Sequence, residues 1–177
     1  MIRHLALLLP LMLATGAEAQ RRHNTNAPID FGADRIELQD RANRAVLSGN
    51  VSVKQADMTL DAARMTVAYT GRAIDGNPQV SRLDASGGVT VTRPDQRARA
   101  QYAIYDLNAR VITMLGAVSL TQGTNTVSGG RLVINLDTGR AVIDGSSVGG
   151  GASAPGSDGV TRSNGRVTGR FSVPDRN

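Results

Sequence analysis

Histidine, cysteine and paired carboxylates are the side chains that most often carry catalysis or hold a metal, and this 177-residue chain is poor in all of them. It has two histidines, His4 and His23, and no cysteine. Without cysteine, neither a Cys/His nucleophile nor a cysteine-based zinc site can be assembled. Asp34, Asp61, Asp84 and Asp144 are spread out near turns and strand ends, which suits turn capping better than paired acid/base work. The run Gly149-Gly150-Gly151 lacks the Lys-Ser/Thr that a phosphate-binding loop requires. The expectation is therefore a protein that is not an enzyme, with no catalytic residue, no metal and no cofactor. One charged type does stand out. The net charge is +5, and every residue of the Lys/Arg set except Lys54 is arginine, whose planar fork suits phosphate and carboxylate. Arg21, Arg22, Arg166 and Arg170 are candidates to meet phosphates, with a solvated surface as the plainer reading. Nucleic acid is not expected as a partner, because aromatics are only 3% of the chain and supply no stacking platform.

The elements that would position such groups begin after an export signal. Arg3 and His4 precede an apolar run from Leu5 to Leu13, and Ala17-Glu18-Ala19 is a small-x-small cleavage site, the layout of a secretory signal peptide over residues 1–19. The run is shorter than the roughly 20 residues that span a bilayer, and no cysteine follows it to carry a lipid anchor. Cleavage near Ala19 removes Arg3 and Glu18 together, so the charge is unchanged, and it leaves about 158 residues, the size of one domain. An exported chain without disulfides must be held by a regular ladder.

That ladder is written in the sequence. Gly49-Asn50-Val51-Ser52-Val53, Gly87-Gly88-Val89-Thr90-Val91 and Gly116-Ala117-Val118-Ser119-Leu120 are one phrase repeated, with a degenerate copy ending at Gly145. The spacings of 38, 29 and 29 residues give a period near 29 with one nine-residue insertion, the mark of a β unit stacked on itself. By parity, Ala45, Leu47, Val51 and Val53 share one face, as do Leu83, Ala85, Val89 and Val91, then Ile112, Met114, Val118 and Leu120, and finally Ala141 and Ile143. Such alternation predicts half-buried antiparallel strands. The glycines fall on the same parity, which predicts a bend or bulge that also leaves space inside. Each unit has a second strand, at Ala63–Tyr69, Ala100–Tyr105 and Gly130–Leu136; aligning Met65, Tyr102 and Leu132 also aligns Val67, Ile104 and Ile134. Turns of the type Asp106-Leu107-Asn108-Ala109-Arg110, Asp137-Thr138-Gly139-Arg140 and Asp40-Arg41-Ala42-Asn43-Arg44 connect them. Residues 146–164 are rich in Gly and Ser and read as a flexible segment, and residues 165–174 alternate again as a possible terminal strand.

Pro28-Ile29-Asp30-Phe31-Gly32-Ala33-Asp34, followed by Val46-Leu47-Ser48-Gly49-Asn50-Val51, resembles the opening of the lipopolysaccharide-transport periplasmic bridge proteins, the LptA/OstA-like family. The resemblance covers residues 27–145, and the closing Arg166-Val167 and Phe171 to Pro174 also look like that family's last strand. It implies an all-β, single-domain antiparallel β-jelly roll: stacked hairpin repeats, twisted, open at both ends. It implies a periplasmic protein that binds lipopolysaccharide by its lipid A part. Partners would be an inner-membrane transport complex and an outer-membrane assembly protein of similar fold, with the chain itself joining into an end-to-end homo-oligomer. Under that resemblance Ile29 and Tyr105 are expected to face the lipid, with Phe31 beside Ile29 near the entrance. Val51, Val53, Met65, Val89, Tyr102, Ile104, Ile112 and Val118 are expected to line the interior. Two alternatives stand beside it: a structural or adhesive exported β-repeat protein with a closed core, and the membrane-anchored relative in the same pathway.

Overall fold

The computed structural model describes residues 23–71, 76–145 and 166–171; the expected signal peptide (1–19), the centre of the insertion and the Gly/Ser-rich segment lie outside them. In chain order the strands are β1 (Ile29–Gly32), β2 (Arg35–Gln39), β3 (Arg44–Gln55), β4 (Met58–Thr70), β5 (Gln79–Thr92), β6 (Gln96–Asp106), β7 (Val111–Gln122), β8 (Asn125–Asn135), β9 (Ala141–Asp144) and β10 (Thr168–Arg170). A single 3-10 turn at Asp40–Ala42 joins β2 to β3, and there is no α-helix among the described residues. All pairings are antiparallel, in the order β1-β3-β4-β5-β6-β7-β8-β10, with β2 also on β3 and β9 also on β8. The sheet does not close on itself.

The repeated glycine phrase bends this sheet. β3, β5 and β7 each contain two successive residues of positive φ: Gly49 (75°) and Asn50 (45°), Gly87 (84°) and Gly88 (82°), Gly116 (80°) and Ala117 (48°). Left-handed backbone costs a glycine nothing and an asparagine little. At each pair the ladder slips: Ser48 to Val51 on β3 faces only Arg64 to Ala62 on β4, and the same irregularity recurs at Ser86/Val89 and Leu115/Val118. These are β-bulges stacked strand by strand. They divide every long strand into two arms and the sheet into two layers. One layer holds β2, β9 and the arms that include Leu47, Met65, Leu83, Tyr105, Ile112 and Leu132. The other holds β1, β10 and the arms that include Val53, Leu60, Val91, Ala98, Leu120 and Val127. The apolar faces of both layers form one core.

The bulges also settle which way the glycines face. A Cβ on Gly49 would meet Asp34, one on Gly87 would lie 2.7 Å from the Ala63 Cβ, and one on Gly116 would lie 2.7 Å from Gln101 Oε1. Asp34, Ala63 and Gln101 are exposed, so the glycines make close approaches on the outside of the bend rather than leaving space within it. The two left-handed residues use up the parity that the sequence alone suggests.

On the partner strands the inward side changes across the bend. β4 buries Met58, Leu60 and Ala62, then Met65, Val67 and Tyr69; β6 buries Ala98 and Ala100, then Ala103 and Tyr105. This corrects two interior assignments. Tyr102 is 54% exposed and Ile104 is half-buried on the outer face, while Ala103 and Tyr105 point inward. The register decides it, since core residues Leu83 and Ala85 pair with Tyr105 and Ala103.

Turn chemistry fixes the ends of the arms. Asp106 accepts from the Ala109 N–H at 2.8 Å, and Asn135, rather than Asp137, accepts from the Thr138 N–H at 2.9 Å. Each of the three Asp/Asn-containing turns holds one left-handed residue: Asn43, Arg110 and Gly139.

Candidate functional site

The inner face of the two layers is mostly aliphatic, with Tyr69, Tyr105 and Gln55 as its exceptions. Val51, Val53, Met65, Val89, Ile112 and Val118 all lie in the core, together with Leu47, Leu60, Met114 and Leu132. Tyr105 is buried with them, and Ile29 packs against them from β1. What changes toward the two ends is cover. At the N-terminal end, Phe31 pairs with Val53, and Ile36 and Leu38 pair with Leu47 and Ala45, so all three extend the core face. Yet they are open to solvent, Leu38 by 56%. At the C-terminal end Ile143 pairs with Leu132, and Gly169 with Val127. A ring carbon of Phe171 lies 3.1 Å from where a Cβ on Gly169 would stand, and Phe171 is 66% exposed, with Val167 also open. The interior is thus packed in the middle and uncovered at both mouths. β2 was not evident from sequence, and with it Ile36 and Leu38 went unnoticed; the signal available was the alternation Arg35-Ile36-Glu37-Leu38-Gln39.

A second cluster lies where the arms of the two layers meet, on the side away from the bend. Gln55, at the end of β3, accepts a 2.7 Å hydrogen bond from the Tyr105 hydroxyl of the other layer. Its amide nitrogen donates to the carbonyls of Thr25 (3.0 Å) and Ala27 (3.1 Å). The His23 ring lies 3.3 Å from Gln55 Oε1 through Nε2 and 2.9 Å from Asp57 Oδ1 through Nδ1. His23 is only 5% exposed. Its hydrogen bond holds the Asp57 carboxyl below the ordinary value of 3.8, against a smaller opposing effect of burial.

Burial pushes the Tyr105 hydroxyl up to about 12, with the Gln55 hydrogen bond offsetting part of the shift. The sign of the linkage follows. The unfolded phenol ionises near 10.0, so the stability associated with Tyr105 is fully present below that pH and is lost as pH rises through the folded value. Urea midpoints measured from pH 8 to 12 should fall above pH 10, and a Tyr105→Phe chain should lose less over that window.

Among the described residues, no group of three or more His, Cys, Asp or Glu is placed to hold a metal ion. A depression of about 510 Å³ does open on the bend, lined by Gly49, Asn50, Val51, Asp61, Ala62, Ala63 and Gly88. Its walls mix the small apolar side chains of Val51, Ala62 and Ala63 with Asn50, Asp61 and glycine backbone, and none of the mouth residues lines it.

The architecture is thus an open two-layer antiparallel β-jelly roll whose apolar interior is uncovered at both ends. The family described as the LptA/(LptD N-terminal domain) LPS transport proteins matches over residues 31–140. An uncharacterized protein of Rhizobium meliloti (strain 1021) is 33% identical over 139 residues, covering 76% of this chain and 75% of that protein. The crystal structure of LptH superposes with a TM-score of 0.67 at 19% identity, covering 85% of this chain and 99% of LptH. LptH is described as the LptA-homologous periplasmic component of the conserved lipopolysaccharide transport device of Pseudomonas aeruginosa. The chain belongs to the LptA/(LptD N-terminal domain) family of lipopolysaccharide transport proteins. The family's role is transport, not catalysis.

Proposed function

We propose that this protein carries lipopolysaccharide through the periplasm, holding the acyl chains of the lipid A part against the inner face of its two layers. It would do so as one link of a bridge, joined end to end with copies of itself. An inner-membrane transport complex and an outer-membrane assembly protein of similar fold would stand at its two ends. The observation that carries this reading is the pair of mouths: the inner-face residues Phe31, Ile36 and Leu38 at one end and Val167 and Phe171 at the other are exposed, while the same face between them is buried. Burial of each methylene is worth about 0.8 kcal/mol, and a lipid loses a similar amount on leaving its bilayer, so modest net affinity is expected. Direction must then come from the partners. Export by the N-terminal signal, with cleavage near Ala19, belongs to this reading.

One observation favours the alternative of a closed-core structural β-repeat. Leu47, Met65, Ile112, Met114, Leu132 and Leu136 are wholly shielded from solvent, so acyl chains must displace packed side chains or part the layers. In-cell photo-crosslinking separates the two. A photoreactive residue at Ile29 or Phe31 should give adducts containing lipopolysaccharide, and one at Tyr102, on the outer face, should not. Absence of adducts from Ile29 and Phe31 in folded, exported protein would favour the closed core.

A further inference from the structure

We propose that residues 23–27 form a strap that closes the side seam between the two layers, and that its release opens the interior laterally. The strap would thereby control admission of acyl chains, and that part of the inference rests on the carrier reading above.

The bend joins the layers covalently on one side only. On the other side the hairpin tips must be held by non-covalent contacts, and Gln55 is where this happens. It is 2% exposed. Its Oε1 accepts from Tyr105 in the opposite layer, and its Nε2 donates to two strap carbonyls, those of Thr25 and Ala27. The strap is ordered by its own turn, with the Thr25 N–H on the His23 carbonyl, the Ala27 N–H on the Asn24 carbonyl and the Asn26 N–H on Asn24 Oδ1. His23 anchors it from the other end. Its ring, with no exposed surface, reaches both Gln55 and Asp57 of the β3–β4 turn.

Such an arrangement has two stable states and little between them. A buried network is favourable when every member is bonded and unfavourable when part of it is lost. If the strap lifts, Gln55 loses both acceptors for its amide N–H groups, and the cheapest remedy is to let water into the seam. The closed state is also imperfect. Tyr69, on the inward side of β4 in the same layer as Tyr105, buries a hydroxyl without a partner. An unsatisfied buried hydroxyl weakens that state and would find a partner on opening, in water or in a polar group of an incoming amphiphile.

The chain has no cysteine, so two introduced thiols can be spin-labelled cleanly. Asp95, in the β5–β6 turn of one layer, and Asn108, in the β6–β7 turn of the other, are exposed and flank the seam. Pulsed electron–electron resonance should give one narrow distance in the otherwise unaltered chain. His23→Ala should lengthen and broaden it, and Tyr105→Phe should shift it in the same direction to a smaller extent. Losing one or two buried hydrogen bonds corresponds to a shift on the order of tenfold in the open-to-closed ratio. Purified lipopolysaccharide should move the unaltered chain's distance the same way and should bind His23→Ala faster. Distances unchanged in both variants, with cooperative unfolding retained, overturn the strap. If His23→Ala does not fold, Tyr105→Phe alone decides, and an unchanged distance there overturns it equally. Opening in the variants with no response to lipopolysaccharide upholds the strap as a seam closure and removes the carrier reading instead.

Discussion

Replacing Gly87 by alanine is expected to cost about 3 kcal/mol of stability, while the same replacement at the adjacent Gly88 should cost only about 1 kcal/mol. Both residues sit in left-handed backbone, at φ 84° and 82°, so each alanine carries the same conformational penalty of about 1–2 kcal/mol. Only Gly87 has a neighbour in the way. Its Cβ would lie 2.7 Å from the Ala63 Cβ and 3.8 Å from the Ala63 Cα, whereas nothing stands within 4 Å of a Cβ on Gly88. Ala63 cannot rotate away, because it has no flexible side chain and sits where β4 changes its inward side. Relief must come from moving the bend itself, to which both layers are attached. Urea unfolding of the two variants checks this, and the difference between them isolates the contact from the backbone term. Equal losses would mean that the approach at Ala63 relaxes freely.

The same bend shows what could be read from sequence. The Gly-x-Val phrase was legible because each copy imposes a local conformation, and Asn50, a residue that tolerates positive φ, occupies the second left-handed position of the first copy. Ala117 does so in the third copy without that tolerance, and the ladder around it holds it there. Core positions on β3, β5 and β7 were legible because their alternation carries through the bulge unchanged. On β6 it does not. Tyr102-Ala103-Ile104-Tyr105 is apolar on both parities, so only pairing with Leu83 and Ala85 reveals that Ala103 and Tyr105 are the inward pair. His23 was out of reach for another reason: its partners Gln55 and Asp57 are 32 and 34 residues away, and no periodicity connects them. The mouths were half legible. Ile29 and Phe31 were placed near an entrance by resemblance, but the exposure of Phe31, Ile36 and Leu38 belongs to the end of the stack, which only the assembled sheet defines.

Those ends carry the other large expected effect. Glutamate at both Ile36 and Leu38 should abolish end-to-end association, weakening it at least about a thousandfold, while leaving the monomer folded. β2 is an edge strand, and its free backbone groups can accept another strand, normally an aggregation hazard that proteins suppress. Here the outer face of the strand is charged, with Arg35 and Glu37 paired at 3.9 Å, but the inner face is not. Ile36 and Leu38 continue the core face of Leu47 and Ala45 outward into solvent. A second molecule that adds its β9 and β10 edge across this end would extend both layers and cover those side chains together with Phe31, using its own Val167 and Phe171. Such contact joins unlike ends, so it propagates into filaments instead of closing into a ring. Burying an isoleucine and a leucine contributes about 1.5–3 kcal/mol each, and carboxylates in their place would have to be dehydrated besides. Both positions are already exposed in the single chain, so the fold has little to lose. Light scattering over a concentration series should show growing oligomers for the unaltered protein and a monomer for Ile36→Glu/Leu38→Glu. If the variant still assembles, strand addition at the β2 end is not how the links join, and the exposed apolar face must serve the lipid alone.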